Sequence, residues 1–301
     1  MRVAVIDIGT NSTRLLVAEV QGERVVKRLH TGLVTTRLGE GIGGGRLLPR
    51  AMDRTLRTLK DYLKQIRSFK TEGILAAATS AVRDAANREE FLARAGEMGL
   101  AVRVLSGEEE ARLSYRGVRQ GLDDDLQNMV VMDIGGGSTE FIWSRDGNIT
   151  ARSVRAGAVR MTEGGHDDGE ISRLLEPVLL AVARAHPQKL VGVGGTVTTM
   201  AAMAQKLRVY DPHRVHGYIL TAPRVEEILT LLRHTTLEER RRLPGLQPER
   251  ADVITAGVRI ARLVLLELGL PFLQVSEADI MYGLALEAAR SVERKIVSSF
   301  Q

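Results

Sequence analysis

The feature that most constrains this chain is that it repeats itself. Val5-Ile6-Asp7-Ile8-Gly9-Thr10-Asn11-Ser12-Thr13-Arg14 and Val131-Met132-Asp133-Ile134-Gly135-Gly136-Gly137-Ser138-Thr139-Glu140 lie 126 positions apart and agree in six of ten places. Each runs from an apolar strand through an Asp into a small-residue turn and out through a Ser-Thr pair. An offset near half of 301 residues points to a duplicated unit, because unrelated turns rarely match this closely. The surroundings repeat as well. Strand patterns at 2–8, 12–20 and 24–33 precede helical spacing over 48–69, a strand at 73–79, a helix at 87–97, a strand at 101–105 and a helix at 108–120. The second half opens with strands at 129–134, 138–143 and 149–155. It continues with a helix ending near Arg184, a strand at 189–193, helices at 196–206, 224–234, 248–268 and 278–293, and a strand at 272–275. This alternation predicts an α/β chain of two related domains, 1–122 and 123–301, divided at Asp123-Asp124-Asp125 and facing one another across a cleft. Residues 38–45, dense in glycine, read as a mobile loop.

Composition narrows the function. There are no cysteines, which excludes a thiolate metal site, an iron–sulfur cluster and a cysteine nucleophile. No apolar run reaches the ~18 residues of a membrane span, and the N-terminus enters directly on a strand, so a cytoplasmic protein without membrane attachment is expected. Of the 42 basic residues, 35 are Arg, whose fork suits phosphate and carboxylate; the net charge is only +5. Aromatics make up 4% and interleave with no basic stretch, so nucleic acid is not the expected partner. A small or linear polyanion is.

Glycines in the two turns let backbone N–H groups converge on an anion, and the hydroxyls of Ser12, Thr13, Ser138 and Thr139 add donors. Neither turn is a Walker A loop or a dinucleotide fingerprint. The repeats differ where Arg14 in the first matches Glu140 in the second, which suits a phosphate wall and a metal wall. Asp133 and Glu140 form a sparse acidic pair that fits Mg²⁺, with Mn²⁺ as an alternative, better than Ca²⁺.

These turns resemble the two phosphate loops of the Ppx/GppA family, exopolyphosphatases and guanosine pentaphosphate phosphohydrolases within the actin/Hsp70/sugar-kinase superfamily. Further stretches agree with it: 78–87 (ATSAVRDAAN), 105–112 (LSGEEEAR) and 193–199 (VGGTVTT). The resemblance spans essentially the whole chain and implies a short form of the family with a two-domain actin-like, ribonuclease H-like α/β fold, the terminal helix packing back on the first domain. It implies a hydrolase that releases terminal orthophosphate from inorganic polyphosphate, with guanosine pentaphosphate or nucleoside triphosphates as alternative substrates. Glu110 is the catalytic residue by this resemblance, orienting or deprotonating the attacking water. Arg83 is assigned to phosphate, with Gly9, Thr10, Asn11, Ser12, Thr13, Arg14, Gly135, Gly136, Gly137, Ser138, Thr139, Gly194, Gly195 and Thr196; Asp133 and Glu140 are assigned to the metal. A homodimer is compatible with the reading. Without the helical C-terminal domains of longer members, shorter polyphosphates and distributive cleavage are expected.

Simpler roles compete for several residues. Glu108 and Glu109 suit the start of a helix, where acids meet the dipole, and Asn87 suits a helix cap. His213 and His216, with Asp211, read as loop or cleft-wall residues, and 166–168 as a solvated loop. A sugar- or acetate-type kinase would need an acceptor pocket and an Asp base, for which there is no signature. A non-catalytic nucleotide sensor would have no use for Glu110.

Overall fold

The computed structural model describes residues 1–122, 128–145 and 148–298, so the acidic run Asp123-Asp124-Asp125 lies outside the described residues. The chain divides into two compact units: Met1–Gln120 with Ile280–Gln301, and Gly121–Asp279.

In the first unit, β1 (Arg2–Ile8), β2 (Thr13–Gln21) and β3 (Arg24–Val34) form an antiparallel meander. After α1 (Pro49–Arg67), β4 (Gly73–Ala78) pairs parallel to β1. Then α2 (Ser80–Arg83) and α3 (Arg88–Gly96) lead to β5 (Val102–Val104), parallel to β4, and α4 (Gly107–Gly121) follows. The sheet order is β3-β2-β1-β4-β5.

The second unit repeats this wiring and adds one antiparallel edge strand. Here β6 (Met129–Ile134), β7 (Thr139–Arg145) and β8 (Asn148–Val154) make the meander. Helices α5 (Ala158–Glu163) and α6 (Asp168–Ala183) precede β9 (Lys189–Val193), which is parallel to β6. Next come α7 (Gly194–Ala204), α8 (Pro212–Val215), β10 (Ile219–Thr221), α9 (Ala222–Arg233), α10 (Leu237–Arg240) and α11 (Ile254–Leu268). Strand β11 (Phe272–Val275) pairs parallel to β9, giving β10-β11-β9-β6-β7-β8. Finally α12 (Ile280–Ser298) returns to the first unit.

Both faces of the first sheet are covered, so its central strands are apolar throughout rather than alternating. The period of two still sorts them. Ala4, Ile6 and Ile8 pack with Met52, Leu59 and Phe91 of α1 and α3. Val3 and Val5 pack with Leu113 of α4 and with Leu284, Ala285 and Ala288 of α12. Gly283 lets α12 approach α4 closely, since a Cβ there would lie 2.1 Å from the Leu113 carbonyl oxygen.

Two sequence readings change. Residues 38–45 are anchored rather than mobile: Leu38, Ile42 and Leu47 are buried, and 42–44 form a 3₁₀ turn. Residues 166–168 are a helix start, not a solvated loop. Asp167 caps α6 in a reciprocal box with Glu170, and Asp168 pairs with Arg233 and Arg259. Short β10 and α8 carried no periodic signal.

Candidate active site

In open α/β sheets, ligands collect beyond the carboxyl ends of parallel strands. In the first unit β1, β4 and β5 end together, and the loops that leave them carry the sequence-marked residues. The turn after β1 is closed by the Gly9 N–H donating to the Ser12 carbonyl at 3.0 Å. Thr10, Asn11, Ser12 and Thr13 are buried. The carbonyls of Thr10 and Asn11 accept from the N–H groups of Gly39 and Arg37, both at 2.8 Å. Because a trans peptide directs its C=O and N–H oppositely, the N–H groups of Asn11 and Ser12 turn away from that loop. Gly39 permits the approach, as a Cβ would meet Thr10 Cγ2 at 2.2 Å. The loop is held in turn by Arg54, which donates to Thr36 O and to Glu40, and by Arg50 paired with Glu40; the Arg54 hydrogen bond holds the Glu40 carboxyl below its ordinary range. Tyr62 of α1 donates to Thr13 O at 3.0 Å, and burial pushes its phenol up to about 12.

Arg14 is the cross-strand partner of Asp7, and its Nε and Nη2 donate to Asp7 Oδ2 at 3.0 and 2.8 Å. Arg83, at the end of α2, donates through Nη1 to Leu105 O at 3.0 Å and to Glu110 Oε2 at 2.9 Å. Glu110 sits in the first turn of α4 and is 8% exposed. The catalytic candidate and the phosphate candidate are therefore an ion pair. Neighbouring Glu109 does what a helix-opening acid does: it accepts from Ser106 N at 2.8 Å while Ser106 Oγ accepts from Glu109 N. The Ser106 N–H, then Arg103, hold its carboxyl below the usual range. Asn87 makes no side-chain cap; it clamps the backbone of Leu47, accepting from its N–H at 2.8 Å and donating to its carbonyl at 3.1 Å.

The second unit reproduces the turn: Gly135 N–H donates to Ser138 O, again at 3.0 Å. Its carbonyls are held by α5. Ala158 N and Val159 N donate to Gly135 O and Gly136 O, and Arg160 Nε donates to Gly137 O at 2.8 Å. The N–H groups of Gly136, Gly137 and Ser138 face the other way. Thr139 Oγ1 donates to Ala156 O. Asp133, Glu140 and Ser153 stand in register across β6, β7 and β8, with Ser153 Oγ donating to Glu140 Oε1 at 2.6 Å. Glu140 is fully buried and Asp133 nearly so. Beyond β9, α7 begins at Gly194 and Gly195, and its preceding residue, Val193, offers no side-chain cap. Gly194 has φ +88°, and a Cβ there would meet Asp133 Oδ1 at 2.6 Å. Thr196, the next residue of α7, is buried against Gly257 of α11.

Sequence reasoning missed three contributors. Arg250 lays its guanidinium on the start of α7, 2.1 Å from where a Gly195 Cβ would be. Gly157 is needed because a Cβ would lie 2.5 Å from Gly136 and Ser138 backbone atoms. Arg160 had no signal. His216, read as a cleft-wall or loop residue, ties Gly121 O at 2.8 Å to Glu277 N at 3.1 Å.

A model of the Ppx/GppA phosphatase family matches residues 16–291. Exopolyphosphatase 2 of Mycobacterium tuberculosis is 37% identical across 96% of this chain and 98% of its own length. The crystal structure of an exopolyphosphatase from Cytophaga hutchinsonii has a TM-score of 0.86 at 28% identity, covering 94% of this chain and 96% of that one. That of an Aquifex aeolicus Ppx/GppA family member has a TM-score of 0.78 at 33% identity, covering 97% and 98%. Two turns with one hydrogen-bond pattern, two sheets with one wiring and these likenesses lead to a single conclusion: the chain belongs to the Ppx/GppA phosphatase family and has its two-domain actin-like α/β fold.

Proposed function

We propose that this chain is an exopolyphosphatase that hydrolyses the terminal phosphoanhydride of inorganic polyphosphate in the cytoplasm, in a Mg²⁺-dependent reaction. The observation that carries the reading is Glu110, a buried carboxylate fixed by Arg83 at the strand ends that also bear the phosphate turn. Its likeness to Exopolyphosphatase 2 over nearly the full length of both chains supports polyphosphate as the substrate.

In this reading the N–H groups of both turns, the hydroxyls of Ser12, Thr13, Ser138 and Thr139, and the start of α7 bind phosphate oxygens. Arg83 positions Glu110, which accepts a hydrogen bond from the attacking water and takes its proton as the new P–O bond forms. Arg14 holds Asp7 across β1 and β2 and lends positive charge to the first turn. The buried pair Asp133 and Glu140 suits a divalent cation, because Mg²⁺ takes one or two carboxylates and completes its shell with water and phosphate oxygens. When bound, the ion would neutralise charge on the phosphate oxygens.

Phosphate release from polyphosphate, guanosine pentaphosphate and a nucleoside triphosphate, each with and without Mg²⁺, tests the assignment. Polyphosphate should be turned over best, and only with the metal. Preference for guanosine pentaphosphate would reassign the substrate, and no release from any of the three would overturn the hydrolase.

A further inference from the structure

The charge of this chain is unevenly spread. Residues 46–70 hold eight Lys and Arg against two acids, a local charge of +6, while the whole chain carries +5. Everything outside this segment therefore sums to −1. The excess is concentrated on α1. Arg50, Arg54, Arg57, Lys60, Lys64 and Arg67 follow one another at intervals of three or four. At about 100° and 1.5 Å per residue, that spacing gathers them into a sector of about 140° running about 25 Å along the helix. The opposite face, with Met52, Leu56, Leu59 and Ile66, is buried in the core of the first unit.

Helix formation does not call for this stripe. The first turn of α1 has no acid, where the dipole favours one. Each step of the stripe also sets like charges on neighbouring turns, which destabilises a helix. Pairing does not explain it either. Arg50 and Arg54 share Glu40, Lys64 takes Asp61, and Asp53 is drawn to Arg94 of α3. Arg57, Lys60 and Arg67 are exposed and form no ion pair among the described residues. What the surface lacks narrows the partner. Tyr62 is buried and Phe69 stacks on His30, so no ring is left for nucleic-acid bases. No large apolar side chain of residues 46–70 is exposed to enter a bilayer. Charge alone remains, set out in a line, and it suits a flexible linear polyanion without bases.

We propose that the exposed face of α1 is a second binding surface for long-chain inorganic polyphosphate, holding the part of the polymer that lies outside the active site; this rests on the polyphosphate reading of that site. Helix α1 adjoins residues 36–40 through Arg54, which donates to Thr36 O at 3.0 Å. Those residues support the first turn from its carbonyl side. The stripe is therefore no extension of the N–H groups proposed to bind phosphate. It is a separate surface, useful only to a chain long enough to reach both. Such a chain stays held by one surface when the other releases it, which raises its local concentration at the site.

The test is a double variant, Lys60→Glu with Arg67→Glu, which spares Arg50 and Arg54 because they hold the loop. Binding of tripolyphosphate and of long-chain polyphosphate is measured by calorimetry in Mg²⁺ buffer, beside phosphate-release kinetics and thermal melting. The Kd and KM for the long chain should rise about tenfold or more, as the second attachment is lost. Values for tripolyphosphate and kcat should stay as in the wild type, and melting should not fall, since repulsion along α1 is relieved. The charge-preserving pair Lys60→Arg with Arg67→Lys should bind the long chain normally. So should Arg173→Glu with Arg242→Glu, the same change of net charge placed in the second unit. If the first double variant binds the long chain as the wild type does, or if the second-unit pair weakens it equally, the inference is overturned. It is also overturned if single-stranded RNA or phosphatidylserine vesicles bind the wild type as tightly as polyphosphate and lose binding in the same variant. A wild type that binds long chains through α1 but releases no phosphate would refute the hydrolase reading and leave the second surface standing.

Discussion

Single residues carry the chemistry, and the pairing of Arg83 with Glu110 is the most consequential arrangement among them. Glu110→Gln keeps the shape and a hydrogen-bond acceptor but cannot take a proton from water. Its kcat should fall by at least about 10²-fold in steady-state phosphate release, at a temperature where the variant is still fully folded. Because the pair is largely buried, Glu110→Gln, Arg83→Ala and the double variant should show a coupling energy of about 1–3 kcal/mol in denaturant unfolding. Glu109, one residue away, separates function from structure. Its carboxyl is held low by the Ser106 N–H and Arg103, so it favours the folded state above its unfolded range, near 4.5. That contribution is lost as pH falls through the lower folded value. The stability gap between wild type and Glu109→Gln should therefore be present at pH 7, begin to shrink as pH falls through the unfolded value and close below the lower folded one in urea titrations, with kcat unaffected.

At the scale of elements, each of the two turns proposed to bind phosphate depends on a neighbour that holds its carbonyls: residues 36–39 for the first turn, α5 for the second. The turns are thus only as well placed as their supports. Gly157→Ala would drive a Cβ against Gly136 and Ser138, where only backbone could yield. Overpacking of this kind costs about 1–3 kcal/mol, and kcat/KM for polyphosphate should fall with the melting temperature. Gly43→Ala, at a place with open space, is the control and should change neither. The supports were the least legible part of the site. The turns stand out as a repeated pattern, but that Gly157 and Arg160 serve the second turn depends on distances no local periodicity records.

For the whole molecule, the notable feature is a first unit assembled from both ends of the chain. Helix α12 covers the sheet face built by Val3, Val5, Leu16 and Ala18. Each large apolar side chain so buried is worth ~1.5–3 kcal/mol, so their sum is comparable with the ~5–15 kcal/mol that stabilises a typical domain. A chain ending at Asp279 should lose the cooperative melting of the first unit while that of the second, complete without α12, persists. Calorimetry with two resolved transitions in the full chain and one in the shortened chain would show it.

What the sequence determined by itself was whatever is local or repeated. The strand, Asp, turn and Ser-Thr pattern occurs twice, and it specifies a strand end whose small residues must turn sharply; hence the two meanders and the glutamates that open α4 were readable from residue order alone. Most helix and strand ends were legible to within a few residues for the same reason, though α11 begins at Ile254 rather than at 248 and α5 was not read. Tertiary structure decided what joins residues distant in the chain. It set Asn87 on Leu47, forty residues away, and so anchored a glycine-dense loop that reads as mobile when only its own side chains are counted. It brought Arg250 to the start of α7, gave Arg83 to Glu110, and returned α12 to the first unit. Hydrogen bonds and apolar contacts act on distance in space, and spacing along a chain encodes that distance only within a helix turn, a strand pair or a tight loop.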